Sequence, residues 1–494
     1  MTRWPAPRVR RGVRHVVACI GAVGALALVP VPALAHAHLQ GSTPDAGARL
    51  AAAPTEIRLT FSELPELAVS SVRLTGPGGV DVPLGALAVA AGAPRAVVTA
   101  IRGPLVAGAY TVIWQAVGDD GHPTRGQFAF TIGPGARGLA SGSAAAGARL
   151  PPAPRHDPVL RSQGTGFGAE SPLYAAIRWL QYAGLVIAIG AVAFRVAVLG
   201  RLTRTRRAGD RPPDASLVPA LRTGAALLGL GATLAVGVAA VMRLVAQSCA
   251  LYDAGAVFRA DLLGAMLVHT MWGWGWLVQM GGVLLAVPGF AAARRPRGAG
   301  QGMATLGTMA MAASPALSGH AVAAPQWTTL TVLADVAHVV GAGGWLGSLF
   351  VLVVVGIPVA VRSGGDARGP AVADLVHAFS PTALVFAGLV AATGVVATWV
   401  HVGTVAALWQ TAYGRTLLVK LLPVACLAAL GAYHWRRVQP ALATDPGGAA
   451  GTGRLRRSAG LELLVGALVL AATAVLVATP PAVDVRAEPP HAAR

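Results

Sequence analysis

The chain is short of charge. Only 12% of its 494 residues are Asp, Glu, Lys or Arg, about half the roughly 25% of an ordinary soluble protein, and a single water-soluble globule is excluded. Acid is scarcer than base, with 20 carboxylate residues against 39 basic ones and a formal net charge of +19. Lysine is nearly absent, Lys420 being the only one. Leu418 and Val419 precede it instead of a glycine-rich loop, and no second lysine exists to complete an Asp-Lys-Thr-Gly sequence. Neither a Walker A motif nor an aspartyl-phosphate site is present, which excludes an ATP-driven pump. Cysteine is sparse too: Cys19, Cys249 and Cys426 form no CxxC pair and no zinc spacing, against a disulfide framework or a thiolate metal centre.

What the chain has instead is apolar length. Hydrophobic residues make up 54% of it, so lipid must solvate much of the surface. The arginines cluster between apolar runs, where membrane topology explains them without any nucleic-acid partner. Arg3, Arg8, Arg10, Arg11 and Arg14 precede an apolar stretch from Val16 to about Val31 that ends in Pro-Ala-Leu-Ala, the order of a secretory signal peptide. Cleavage after Ala35 makes His36 the first residue; cleavage after Ala37 makes it His38. Either way a histidine carries the new terminus, where amine and imidazole of one residue chelate a metal ion.

From Leu39 to Gly133 the apolar period is two: Ile57, Leu59 and Phe61 share one face, as do Val112, Trp114 and Ala116, and Phe128, Phe130 and Ile132. Turn chemistry separates these runs at Gly76-Pro77-Gly78-Gly79, Gly92-Ala93-Pro94 and Asp119-Asp120-Gly121. About seven short strands in under 100 residues predict an all-β Greek-key, immunoglobulin-like sandwich. Between two of them, Asp120-Gly121-His122 offers a carboxylate and an imidazole from one turn. Joined by a terminal histidine, these make a nitrogen-rich tetragonal set suited to Cu(II). Two other readings compete: a plain Asp-Gly turn, and a tail site in which the amine, two amides and His38 enclose the metal.

The order His36-Ala37-His38-Leu39, Ser42-Thr43-Pro44, Leu59-Thr60-Phe61-Ser62-Glu63, Ala107 to Trp114 and Asp120-Gly121-His122-Pro123 resembles the periplasmic copper-binding CopC family across residues 36–133. The resemblance implies Cu(II) ligation by His36 with its amine, Asp120 and His122, with Glu63 close to the metal. The Met-rich Cu(I) site of some members has no counterpart, since no methionine lies between 36 and 133.

Eight apolar segments follow a Gly/Ala/Ser/Pro-rich linker at 134–170: about 173–199, 219–246, 262–290, 304–320, 328–360, 377–403, 416–436 and 460–479. Most reach the roughly 20 residues that span a bilayer, the fourth being short. Arginines concentrate in alternate loops (Arg201 to Arg211, Arg294 to Arg297, Arg362 and Arg368, Arg436 to Arg457), so the positive-inside rule predicts a polytopic α-helical bundle of about eight helices with the β-domain on the extracytoplasmic face of the cell membrane. The division expected is signal peptide 1–35, β-sandwich 36–133, linker 134–170, membrane domain 171–480 and tail 481–494.

His269, His320, His338 and His401 sort to the outer half of this bundle, and Asp335 shares a helix face with His338. Ionisable groups at membrane depth mark a functional site by default. Met242, Met266 and Met271 fall in the same half as soft ligands for Cu(I). Lys420 either snorkels or pairs with Asp335 or Asp261. Trp272, Trp274 and Trp276 spread around their helix as packing and interface residues. Ser318-Gly319-His320-Ala321, Asp335-Val336-Ala337-His338, Gly344-Trp345-Leu346-Gly347, Phe379-Ser380, Thr411 to Lys420 and Glu462 resemble the CopD family of copper-resistance membrane proteins. Together the two resemblances imply Cu(II) capture outside and copper passage into a histidine-lined bundle, with His320 and His338 as carried-over membrane sites. The alternatives are a copper-dependent redox enzyme using histidine-brace oxygen chemistry, and a haem-b transmembrane electron carrier. Nothing in the residues identifies a periplasmic copper donor or an electron donor.

Overall fold

The computed structural model describes residues 37, 39–118, 121, 123–134, 171–208, 216–252, 255–294, 299–318, 328–363, 368–433, 436–437 and 449–477. The expected signal peptide, nearly all of the linker and the tail lie outside them.

The first unit is a β-sandwich of β1 (Leu39–Thr43), β2 (Arg49–Leu50), β3 (Glu56–Phe61), β4 (Ser71–Thr75), β5 (Asp81–Val82), β6 (Ala88–Val89), β7 (Ala96–Ala100), β8 (Gly108–Val117) and β9 (Pro123–Ile132). One sheet runs β1-β3-β7-β6 and the other β2-β9-β8-β4-β5. All nine residues that the two-residue period assigned to inner faces are buried. Phe61 meets Trp114 edge-on at 5.3 Å, a favoured aromatic geometry. Three strands contain only two residues each, too short for alternation to reveal them. Tyr110 opens the longest hairpin as a tyrosine corner, its hydroxyl donating to the Val106 carbonyl and accepting from the Val106 N–H, each at 2.9 Å.

The helical unit comprises α1 (Pro172–Ala193, continued by a π turn at Phe194–Val198 and by Leu199–Ala208), α2 (Leu217–Leu251), α3 (Ala260–Val268), α4 (Met271–Ala292) and α5 (Ala299–Leu317). It continues with α6 (Thr328–Ala342, extended through two π turns to Ser363), α7 (Arg368–Val402), α8 (Ala412–Tyr433) and α9 (Ala449–Leu476). Among the described residues, seven helices are long and apolar enough to cross a membrane: all but α3 and α5. The short 304–320 segment forms α5, 19 residues long, or about 28 Å at 1.5 Å per residue. It returns antiparallel along α4. Gly275 faces Ser314 and Ser318, Gly282 faces Gly307 and Met311, and Gly289 faces Ala304. Small residues let the two backbones approach closely, the usual basis of helix packing in lipid.

The single descending helix expected at 262–290 is corrected by the structure. It breaks after Val268, and Thr270 caps a new helix by accepting the Gly273 N–H at 3.0 Å. An apolar count cannot see this break, because threonine both fits the run and caps a helix. His269 therefore sits in an exposed joint between two helices.

Candidate functional site

Three segments converge at one end of the sandwich. β8 and β9 pair without slippage from Gly108↔Ile132 to Val117↔Pro123, so the chain reverses within residues 118–122. Beside this turn, the buried Ala37 is held through its carbonyl: the Thr124 hydroxyl lies 3.0 Å from it and 3.1 Å from the Ala116 carbonyl. Leu39 pairs with Phe61, which brings the segment holding the half-buried Glu63 to the same end. His36, His38, Asp120 and His122 lie outside the described residues. Their described neighbours are Ala37, Leu39, Gly121 and Pro123.

That end of the sandwich docks on the helical unit. The Gly121 carbonyl accepts a hydrogen bond from the Gln247 amide. Gly121 has φ +79°, and a Cβ there would stand 2.8 Å from Trp272 Cδ1, so glycine is required both by conformation and by contact. Val69 and Val117 are buried against Leu251, Met266, Trp272 and Trp276. Arg125 donates to the Ala250 and Leu251 carbonyls at 2.7 and 3.3 Å, while Glu66 accepts the Met271 N–H at 3.1 Å. A cation thus meets the C-terminal carbonyls of α2 and an anion the first N–H groups of α4, as the helix dipole favours.

Beneath the docked turn lies a cavity of ≈ 30 Å³ lined by Tyr174, Arg178, Tyr182, Arg243, Trp272, Pro315, Ser318 and Val477. Tyr174 donates to Gln247 Oε1 at 3.0 Å, so Gln247 links the turn to the cavity wall. The Arg178 guanidinium lies 4.4 Å from the Tyr174 ring centre and that of Arg243 5.2 Å from Trp272, both within cation–π range. Sequence reasoning passed over these two arginines because it weighed arginine as a loop topology signal. The signal was present, since Arg178 and Arg243 lie inside apolar segments, where the argument applied to Asp335 holds equally. Ser318 directly follows α5; His320, two residues on, is outside the described residues.

A second polar cluster joins α6, α7 and α8. His338 Nδ1 lies 3.0 Å from the Thr393 hydroxyl, and His401 stacks on Tyr413 at 6.1 Å with Nδ1 2.8 Å from the Ala397 carbonyl. Asp335 is within electrostatic reach of His401 and Lys420, and Lys420 of His338. Asp261, the other partner considered for Lys420, instead pairs with Arg259 at 2.6 Å on the surface. His338 and His401 are thus related through Lys420 and Asp335, while His269 belongs to the docking side. Among the described residues no group of three His, Cys, Asp or Glu is placed to hold a metal ion. Met266 is buried under the docked turn and Met271 carries the N–H held by Glu66, whereas Met242 is exposed. Trp272 and Trp276 are packing residues and Trp274 is exposed.

Residues 39–133 match the family model described as CopC domain. Residues 169–330 match Copper resistance protein D-like, N-terminal domain, and residues 373–476 match Copper resistance protein D. Copper transport protein CutJ of Bacillus subtilis (strain 168) is 25% identical over 475 residues, covering 94% of this chain and 78% of that protein. Copper resistance protein C of Escherichia coli is 37% identical over 110 residues, covering 21% of this chain and 86% of that protein. Copper resistance protein C of Pseudomonas syringae pv. tomato is likewise 37% identical over 110 residues, with the same coverage.

Proposed function

Since the chain belongs to the CopC copper-resistance family and carries a CopD-type membrane domain behind that unit, we propose that it captures Cu(II) on its β-domain and passes copper to its own helical bundle. The ligands in this reading are the terminal amine and imidazole of His36, the Asp120 carboxylate and the His122 imidazole, with Glu63 alongside. Copper is the cargo, and the donor set of two imidazoles, an amine and a carboxylate suits Cu(II). The β-domain lies on the extracytoplasmic side of the membrane in this account, in keeping with the arginine distribution among the loops.

The single observation that carries the hand-off is the seating of Gly121 on Trp272 and Gln247. A capture site on a freely tethered domain would need no such contact. A docked one delivers its ion beside Met266 and Met271, whose thioethers suit Cu(I), a state that requires one electron from a donor outside this chain. His338 and His401, with Asp335 and Lys420, form a later station among α6, α7 and α8.

The test is Cu(II) titration of the full-length protein in detergent, followed by electron paramagnetic resonance. Asp120→Ala and His122→Ala are each expected to change the Cu(II) spectrum and weaken binding by roughly a hundred-fold or more, since losing even a hydrogen-bond partner of a ligand costs about 10–100-fold. His38→Ala is expected to leave both unchanged. The opposite pattern, with His38→Ala alone abolishing the signal, puts the metal on the N-terminal tail and removes the proposal.

A further inference from the structure

Arg243 is 91% buried, since only 9% of its surface is exposed. Its guanidinium faces the Trp272 ring, and Nη2 donates to the Ser318 hydroxyl at 3.3 Å. Its Nε–H donates to nothing among the described residues, and no described carboxylate pairs with it. Arg178, 4% exposed, brings a second guanidinium to the same cavity wall, and Tyr182 brings a phenol. Among the described residues no acidic one lines the cavity. A buried cation left without counter-charge or full hydrogen bonding is strongly disfavoured, and more so at membrane depth.

We propose that this cavity is a binding site for one small monovalent anion of halide size, held by Arg243 with help from Arg178. The size follows from the space. About 10–15 Å³ of such space admits one water, so ≈ 30 Å³ takes a monatomic ion and excludes an organic ligand. The place gives the site a purpose. The Arg243 guanidinium, under the docked turn, would repel any copper cation leaving it, and a resident anion cancels that field where the ion must enter. The inference does not rest on the copper reading, because anion binding is measured on metal-free protein.

The experiment is chlorine NMR linewidth on full-length, metal-free protein in detergent with gluconate as the background anion. Wild type is expected to broaden the chloride resonance, with bromide titrating the broadening away. Arg243→Gln is expected to remove the competable broadening, corresponding to a loss of roughly ten-fold or more in affinity as a charge-assisted bond disappears. Arg243→Lys, which keeps the charge, is expected to retain it within a few-fold, and serves if the glutamine variant does not fold. Broadening that bromide fails to displace, or that survives Arg243→Gln in folded protein, overturns the proposal. So does a competable signal found only in Asp119→Asn or Asp120→Asn, because the turn's own carboxylate would then be the anion.

Discussion

At the residue scale, Thr124 and Gly121 connect the two halves of the copper account without being ligands in it. The Thr124 hydroxyl bridges the carbonyls of Ala37 and Ala116, tying the N-terminal strand to the hairpin whose turn carries Asp120 and His122. Thr124→Val keeps the shape and removes that bridge. A buried hydrogen bond contributes about 0.5–1.5 kcal/mol net, so Cu(II) affinity is expected to fall several-fold, read by competition with a chelator of known strength, while the sandwich still folds. Gly121→Ala meets two obstacles, a positive φ and the Trp272 ring. Overpacking costs about 1–3 kcal/mol, and the expected result is separation of the two units, seen as faster proteolysis of residues 135–170 with little change in the melting of the sandwich itself.

At the element scale, the α4–α5 pair depends on glycine at both sides of one crossing. A Cβ on Gly282 would meet the Gly307 carbonyl at 2.7 Å and one on Gly307 would meet the Ala286 nitrogen at 2.6 Å. Gly282→Leu or Gly307→Val is expected to part these helices and lower the detergent melting temperature by several degrees, whereas Gly281→Ala, with open space around it, should change little. The inner faces of β3, β8 and β9 were readable in the sequence, since a strand buried on one side must alternate, and the apolar segments because a helix in lipid must be apolar along its length. The joint at His269–Thr270 was not readable, as capping depends on a backbone turn that composition does not encode. Nor was the docking of the turn, which rests on the Gly121 carbonyl and on helix-end backbone groups. Main-chain contacts leave no side-chain pattern. Asp335 and His338 stood out as charge among apolar residues, as did Lys420 and His401; the structure puts the last two within electrostatic reach of Asp335 and adds Tyr413, stacked on His401.

At the scale of the whole molecule, capture and passage are joined by an interface in which Arg125 and Glu66 meet the ends of α2 and α4. Helix-end charges contribute about 0.3–1 kcal/mol each, and up to about 2 when partly buried. The double variant Glu66→Ala, Arg125→Ala is therefore expected to loosen docking yet leave Cu(II) affinity unchanged, which separates capture from delivery. The measurement that bears most directly on delivery is a pulsed electron paramagnetic resonance distance between bound Cu(II) and a nitroxide at Trp274→Cys, an exposed position on α4, with Cys249 and Cys426 replaced. The docked account predicts one narrow, short distance that broadens in the Glu66→Ala, Arg125→Ala double variant. A broad distribution in the parent protein, indifferent to those substitutions, would contradict it, for the copper would then ride on a domain that does not face the bundle.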